Sequence, residues 1–216
     1  MIIAIDGPAA AGKGTLARRL ALALGLAYLD TGALYRAVGL MVLRAGGDPG
    51  DEASAVEAAE NLDRSILDHP DLRGDAAAGA ASKVAAIPAV RQVLLAFQRS
   101  FAANPPPGKK GAVLDGRDIG TVVCPDAEVK LFITASAKAR AERRLKELQA
   151  RGIEAIYATV LQDMKERDAR DQARAVAPLV PAEDAHILDT TDLDVDEAFE
   201  QALAIVDPST ARDRSS

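Results

Sequence analysis

The sequence predicts an α/β fold: a parallel five-stranded sheet flanked by helices, with a helical insert and a short lid. Three observations carry this. Short, apolar, β-branched runs recur along the chain, each of a length that suits a buried strand. Amphipathic segments with apolar residues every three to four positions lie between them. A glycine-rich turn joins the first run to the first such segment.

Residues 2–5 read as the first strand and residues 7–14 as the turn. In the helix expected over 15–24, Leu16, Leu20 and Leu24 recur every four positions before Gly25 ends it. A second strand is expected at 27–29 and a second helix at 31–43. Residues 48–110 are mostly helical by pattern, with breaks expected at His69-Pro70, Gly74, Gly79 and Pro88. Asn104-Pro105-Pro106-Pro107-Gly108 reads as a surface connection. Strands at 112–114, 129–133 and 186–188 complete the sheet. Charged helices are expected at about 136–151 and 154–172, and a last helix at Val195–Val206. The core is thus expected at about 1–30, 111–150 and 180–208. The insert is expected at about 31–104 and the lid at about 151–178, within one domain spanning 1–208. The polar tail at 209–216 is expected to fray.

Composition narrows the chemistry. Of 216 residues, 49% are hydrophobic but only 3% aromatic, so Ala, Leu, Val and Ile must build the core. A net charge of -6 argues against a general nucleic-acid binder. Any anion site must then be a local concentration of Arg and Lys. No apolar run approaches the ~20 residues of a membrane span. The lone Cys124 can form no internal disulfide. The expectation is a cytoplasmic protein with no membrane or nucleic-acid partner. With no extended apolar face left over, it is expected to be a monomer. His69 and His186 lie far apart, without a metal-ligand pattern.

Gly7-Pro8-Ala9-Ala10-Ala11-Gly12-Lys13-Gly14-Thr15 is the strongest chemical signal. It is a phosphate loop with one glycine, Gly14, between Lys13 and Thr15. The glycines let backbone N–H groups turn inward around phosphate oxygens, and the following helix adds its positive end. Lys13 would reach the β- and γ-phosphates of a nucleoside triphosphate. Thr15 is a candidate for phosphates or magnesium, although Gly14 takes the usual magnesium-ligand place. The absence of an Asn-Lys-x-Asp segment disfavours a GTPase.

Other clusters are open on residues alone. Tyr35 and Arg36, one turn into a helix after Asp30-Thr31-Gly32, suit a base and a phosphate. They suit equally a core Tyr beside a solvated Arg. Asp115 ends an apolar strand, where a carboxylate can orient magnesium or its waters. Arg117 would pair with an acceptor phosphate. Asp118 suits a hydrogen bond from a base amino group, such as cytosine's, where uracil would present a second acceptor; a plain polar turn after a strand is the open alternative for this segment. Arg167, Asp171 and Arg174 fall at i, i+4 and i+7 and are expected on one helix face. That spacing suits phosphate and sugar, or a plain ion-pair face.

Four segments, in this order, carry a resemblance. They are the Gly-Lys-Gly-Thr loop, Leu29-Asp30-Thr31-Gly32-Ala33-Leu34-Tyr35-Arg36, Leu114-Asp115-Gly116-Arg117-Asp118-Ile119-Gly120-Thr121-Val122-Val123, and Lys165-Glu166-Arg167-Asp168 through Arg174-Ala175-Val176-Ala177-Pro178-Leu179. The chain resembles the bacterial cytidylate kinases, among the nucleoside monophosphate kinases of P-loop type, over about residues 1–206. The resemblance implies a P-loop kinase fold whose insert binds the monophosphate. It implies ATP with Mg2+ as phosphoryl donor and CMP and dCMP as acceptors. Thr31, Tyr35, Arg36, Ser82, Arg91, Asp115, Arg117, Asp118, Arg167, Asp171 and Arg174 then belong to the acceptor site. Ser82 and Arg91 rest almost wholly on the resemblance. Lys13, Arg117, Arg167 and Arg174 take catalytic roles, and Thr15 and Asp115 the metal, directly or through water. Family helices after the 129–133 strand carry arginines near ATP. Arg140, Arg143 and Arg144 are the candidates here, and Arg143 is carried forward. Closure of insert and lid would exclude water.

One departure stands out. The region 63–81 is shorter than in many members of the family, and Arg73-Gly74 stands where Arg-Thr is often found. Small strands in the insert are therefore in doubt. Another small-acceptor kinase, of uridylate, shikimate or gluconate type, is the rival reading. A nucleotide sensor without turnover is another, though arginines on several separate elements argue against it.

Overall fold

The structure is a computed structural model and describes residues 1–208. Five strands, β1 (Ile2–Asp6), β2 (Ala27–Asp30), β3 (Ala112–Asp115), β4 (Val129–Thr134) and β5 (His186–Asp189), form one sheet in the order β2-β3-β1-β4-β5. The pairs β1–β3, β1–β4 and β4–β5 are parallel, with Ile5 opposite both Asp115 and Leu131. Each strand runs one residue beyond its apolar stretch. The carboxyl edge of the sheet is therefore polar, with Asp6, Asp30, Asp115, Thr134 and Asp189 as the last residues. In open parallel sheets this is the edge where ligands bind.

The helices are α1 (Lys13–Ala23), α2 (Thr31–Arg44), α3 (Glu52–Glu60), α4 (Asp75–Val84), α5 (Pro88–Ala103), α6 (Ala137–Ala150), α7 (Tyr157–Gln172) and α8 (Val195–Val206). The chain divides into two compact units. One comprises Met1–Leu29 with the described residues from Pro105 onward, and the other Asp30–Asn104.

In the first unit, the sheet and the helices α1 and α8 bury Ile3, Ile5, Leu16, Leu20, Val113, Leu131, Ile133, Leu188 and Leu203 in one cluster. Each such side chain contributes about 1.5–3 kcal/mol when fully buried, so an aliphatic core suffices without aromatic bulk. The alternation of α1 follows directly: Leu16 and Leu20 face in, while Leu22 points to solvent. Asp194 and Glu197 close a reciprocal capping box at the start of α8.

In the second unit, α2 packs on α4. A Cβ placed on Gly39 would lie 2.6 Å from the Ala80 Cβ, so the two helices meet at a distance that glycine alone permits. Leu34, Val38, Val84, Val90 and Leu94 fill the core beside them. His69-Pro70, Gly74 and Pro88 fall at element boundaries, but Gly79 does not break the chain and lies inside α4. A glycine within a helix costs about 1 kcal/mol relative to alanine, less than Ala77, Ala80, Ala81 and Val84 contribute by burial on the same helix. Two 3-10 turns, Arg64–Asp68 and Pro70–Arg73, connect α3 to α4. Among the described residues of this unit no strand forms beyond Asp30, the end of β2. No single helix among the described residues is long and apolar enough to cross a membrane.

Candidate active site

The loop after β1 has the backbone its glycines call for. Gly7 has φ +144°, and a Cβ there would lie 1.9 Å from the Ile133 carbonyl oxygen, so no other residue fits. Gly12 caps α1 in a left-handed conformation, with no capping side chain and no acidic residue in the first turn. The first N–H groups of α1 thus have no capping side chain or acidic residue from the helix itself. Lys13 is buried; its Nζ donates to the Pro8 carbonyl at 2.9 Å and stands 3.9 Å from Asp115 Oδ1. Burial and then the Arg117 charge draw the Lys13 ammonium well below the usual lysine range, against the opposing pull of Asp115 and Asp6. A Cβ on Gly14 would lie 3.2 Å from Asp115 Oδ2, so the carboxylate occupies the space beside Gly14.

Thr15 is exposed and helps line an open cavity of about 580 Å³ running from the loop past Arg143, Arg144, Thr190 and Leu193. Arg143 is fastened to that wall. It donates to Thr190 Oγ1 at 3.0 Å, to the Leu193 carbonyl at 3.4 Å and to the Thr190 carbonyl. Of the three candidate arginines on α6, Arg143 and Arg144 line the cavity. Arg140 is buried in a pair with Asp168.

Beyond Asp115, the chain makes the turn Gly116-Arg117-Asp118 and one π-helical turn, Ile119–Val123. Asp171, only 1% exposed, accepts from two arginines. Arg117 Nε donates to Oδ2 at 3.1 Å and Arg174 Nη2 to Oδ1 at 2.5 Å. Burial alone would raise the Asp171 carboxyl, but the charges of Arg117, Arg174 and Arg167 overcome it and hold it below the usual carboxylate range. The expected helical face needs correction at Arg174. Helix α7 ends at Gln172, so Arg174 lies beyond it and reaches Asp171 from the following segment. Arg167 and Asp171 remain one turn apart on α7.

In the unit Asp30–Asn104, the Arg91 guanidinium lies 5.6 Å from the centroid of the Tyr35 ring, an aromatic–cation pair joining α5 to α2. Arg91 also donates to the Ala85 carbonyl at 3.3 Å. Arg36 is paired not with Tyr35 but with Asp30, at 2.7 Å, and Asp30 also caps α2 by accepting from the Ala33 N–H. Thr31 and Ser82 are both buried, on α2 and α4.

Three residues here are absent from the sequence-based site, Asp6, Asp168 and Thr190, and Arg140, a candidate for ATP by sequence, is paired with Asp168. Asp6 is 5% exposed, and burial pushes its carboxyl up to about 7 against the opposing pull of the Gly120 and Ile119 N–H groups. Its sequence signal is a carboxylate ending an apolar strand directly before the loop glycine. Thr190 Oγ1 lies 3.0 Å from the Ala11 carbonyl and 3.2 Å from the Thr134 carbonyl. Nothing in the spacing of Arg140, Asp168 or Thr190 signals those contacts.

The cytidylate kinase family model matches residues 3–208. The chain belongs to the cytidylate kinase family. It is 69% identical over 205 residues to the cytidylate kinase of Paramagnetospirillum magneticum, covering 95% of this chain and 97% of that one. It is 62% identical over 206 residues to the cytidylate kinase of Granulibacter bethesdensis, covering 95% and 96%. Among solved structures, it resembles an uncharacterised protein from Eubacterium ventriosum with a TM-score of 0.55 at 17% identity, covering 96% of this chain and 98% of that one. It resembles a sugar kinase from Janibacter sp. with a TM-score of 0.50 at 16% identity, covering 97% and 96%. These two likenesses speak for the fold. Membership of the cytidylate kinase family implies ATP-dependent phosphoryl transfer and nucleotide substrates.

Proposed function

We propose that this protein phosphorylates CMP, and dCMP as a second acceptor, from ATP, giving ADP and CDP or dCDP. The observation that carries the reading is the pairing of Arg117 and Arg174 on one buried Asp171, in the unit that also holds the phosphate loop. A carboxylate between two guanidinium groups fixes both and leaves net positive charge for a phosphate dianion.

In the transfer, an ionised oxygen of the CMP phosphate attacks the γ-phosphorus of ATP. The bond from that phosphorus to the bridging oxygen of ADP breaks. The attacking oxygen carries no proton at pH 7, so no general base is required. Catalysis is then positioning and charge stabilisation. The N–H groups of Gly7, Pro8-flanking Ala9, Ala10, Ala11, Gly12, Lys13 and Gly14 cradle the donor phosphates, and Lys13 Nζ leaves the Pro8 carbonyl to meet them. Arg143, held by Thr190 and Leu193, lines the cavity assigned to the nucleoside of ATP. Arg117, Arg167 and Arg174 stabilise the acceptor phosphate and the group in flight. Asp118 accepts from the cytosine amino group, and Asp171 orients the arginines and the sugar. Thr31, Tyr35, Arg36, Ser82 and Arg91 are assigned to acceptor binding.

The oxygen donors fit magnesium. The Asp115 carboxylate lies beside Gly14 and Thr15 lines the cavity, so these two would hold the ion directly or through water. Bound there, Mg2+ would neutralise charge on the donor phosphates. The protein is read as a cytoplasmic monomer; its single cysteine, Cys124, is buried.

Chromatographic detection of CDP after mixing protein, ATP, Mg2+ and CMP tests the reading. ATP binding without CDP formation would replace it with a nucleotide sensor. Equal turnover of shikimate or gluconate would replace it with another small-acceptor kinase.

A further inference from the structure

Asp6 presents a problem in physical chemistry. A carboxylate at the buried end of a central strand is costly unless both oxygens find donors. They do, at long range in sequence: Oδ1 accepts from the Ile119 N–H and Oδ2 from the Gly120 N–H, each at 2.8 Å. These contacts are not needed to join β1 to the chain after β3. The Gly116 N–H already donates to the Ile5 carbonyl at 2.9 Å.

The two N–H groups open the π-helical turn whose N-cap position is Asp118. An aspartate at that position ordinarily caps its own turn, as Asp30, Asp51 and Asp194 all do in this chain. Asp118 is the exception. Its side chain makes no capping hydrogen bond, and Asp6 takes the first two N–H groups of the turn, Ile119 and Gly120, the second of which an N-cap side chain ordinarily reaches. The cap comes from the strand that carries the phosphate loop, and the Asp118 carboxylate is released from that duty while staying buried.

We propose that Asp6 is a positioning residue for acceptor specificity, capping the 119–123 turn in place of Asp118 so that the Asp118 carboxylate serves the acceptor base. This rests on the reading of Asp118 as the acceptor for the cytosine amino group. In Asp6→Asn only one side-chain oxygen remains to accept, and an amide group faces the second N–H. The turn then recruits Asp118 as its own cap, and cytosine loses its partner.

The test compares kcat/KM for CMP and for UMP in the wild type, Asp6→Asn, Asp118→Asn and the double variant, with melting temperature and the KM for ATP alongside. The expected result is a fall of about tenfold or more in the CMP-to-UMP ratio for Asp6→Asn, the scale of one lost hydrogen bond to substrate. The KM for ATP stays within about twofold of the wild type, and the double variant shows the same ratio as Asp118→Asn. A merely structural Asp6 would lower melting temperature and leave the ratio unchanged, which overturns the proposal. If Asp118→Asn itself leaves the ratio unchanged, the reading of Asp118 fails first. Amide hydrogen exchange in the wild type gives a measurement that no folding defect can obscure. Protection of the Ile119 and Gly120 amides without nucleotide is expected; exchange at unprotected rates would overturn the cap.

Discussion

Arg140 and Asp168 form a two-pronged ion pair, Nη2 to Oδ2 at 2.6 Å and Nη1 to Oδ1 at 3.2 Å, that joins α6 to α7. The same Nη1 donates to the Ala9 carbonyl in the phosphate loop at 3.2 Å, and Nε donates to the Ala135 carbonyl at 3.0 Å. One buried guanidinium therefore ties the helix bearing Arg167 and Asp171 to the loop assigned to the donor phosphates. Asp168→Ala leaves that cation without its anion, and a loss of about 2–3 kcal/mol is expected, somewhat less than for a fully dry pair. Adding Arg140→Met should recover much of it, because the uncompensated charge is then gone. Urea unfolding of the two variants and the wild type measures both steps.

How much of this was legible in the sequence follows from range. The strand, loop and helix read correctly as elements, with α1 opening at Lys13 rather than at residue 15, because Gly7, Gly12 and the spacing of Leu16 and Leu20 act within a few residues. The last helix, Val195–Val206, read to the residue because its cap and its apolar period are local. Gly79 misled because helix-breaking is a weak local cost that packing against α2 overrides. Arg174 misled because an i+7 spacing assumes the helix continues, and α7 stops at Gln172. The cap from Asp6 and the Arg140–Asp168 pair were invisible, since their partners lie 113 and 28 residues away in the chain.

Lys13 is the residue whose loss should separate catalysis from stability. Lys13→Ala is expected to reduce kcat by about 10²–10³-fold, the scale of one lost electrostatic contact to a transition state. The stability change should be small, because the variant removes a buried cation that burial disfavours, which offsets the loss of the partner 3.9 Å from Asp115. Steady-state kinetics with a thermal melt checks this; near-normal turnover would remove Lys13 from the mechanism.

Asp171 gives a pH signature. Its carboxyl is held below the usual range in the folded protein, so the unfolded chain takes up its proton first as pH falls. The stability contributed is fully present above the ordinary aspartate value of about 4 and is lost as pH falls through the lower folded value. The gap in melting temperature between wild type and Asp171→Asn should therefore be widest near neutral pH and close towards pH 3. A gap that widens in acid would contradict the assignment.

Arg143 should act on the donor side. With its contacts to Thr190 and Leu193 removed, Arg143→Ala is expected to raise the KM for ATP by about tenfold, or about 1.4 kcal/mol, with little change in the KM for CMP. Initial rates at varied concentrations of each substrate distinguish the two. A selective effect on CMP would move Arg143 to the acceptor.

The most direct test is the rate of ADP release from ATP and Mg2+ with CMP, dCMP, UMP, AMP, shikimate and gluconate offered in turn. Strong turnover with CMP and dCMP, and with UMP far behind, is the predicted result. Turnover of UMP equal to that of CMP would keep the phosphoryl transfer and contradict Asp118 as the cytosine reader; turnover of none would contradict the account at its centre.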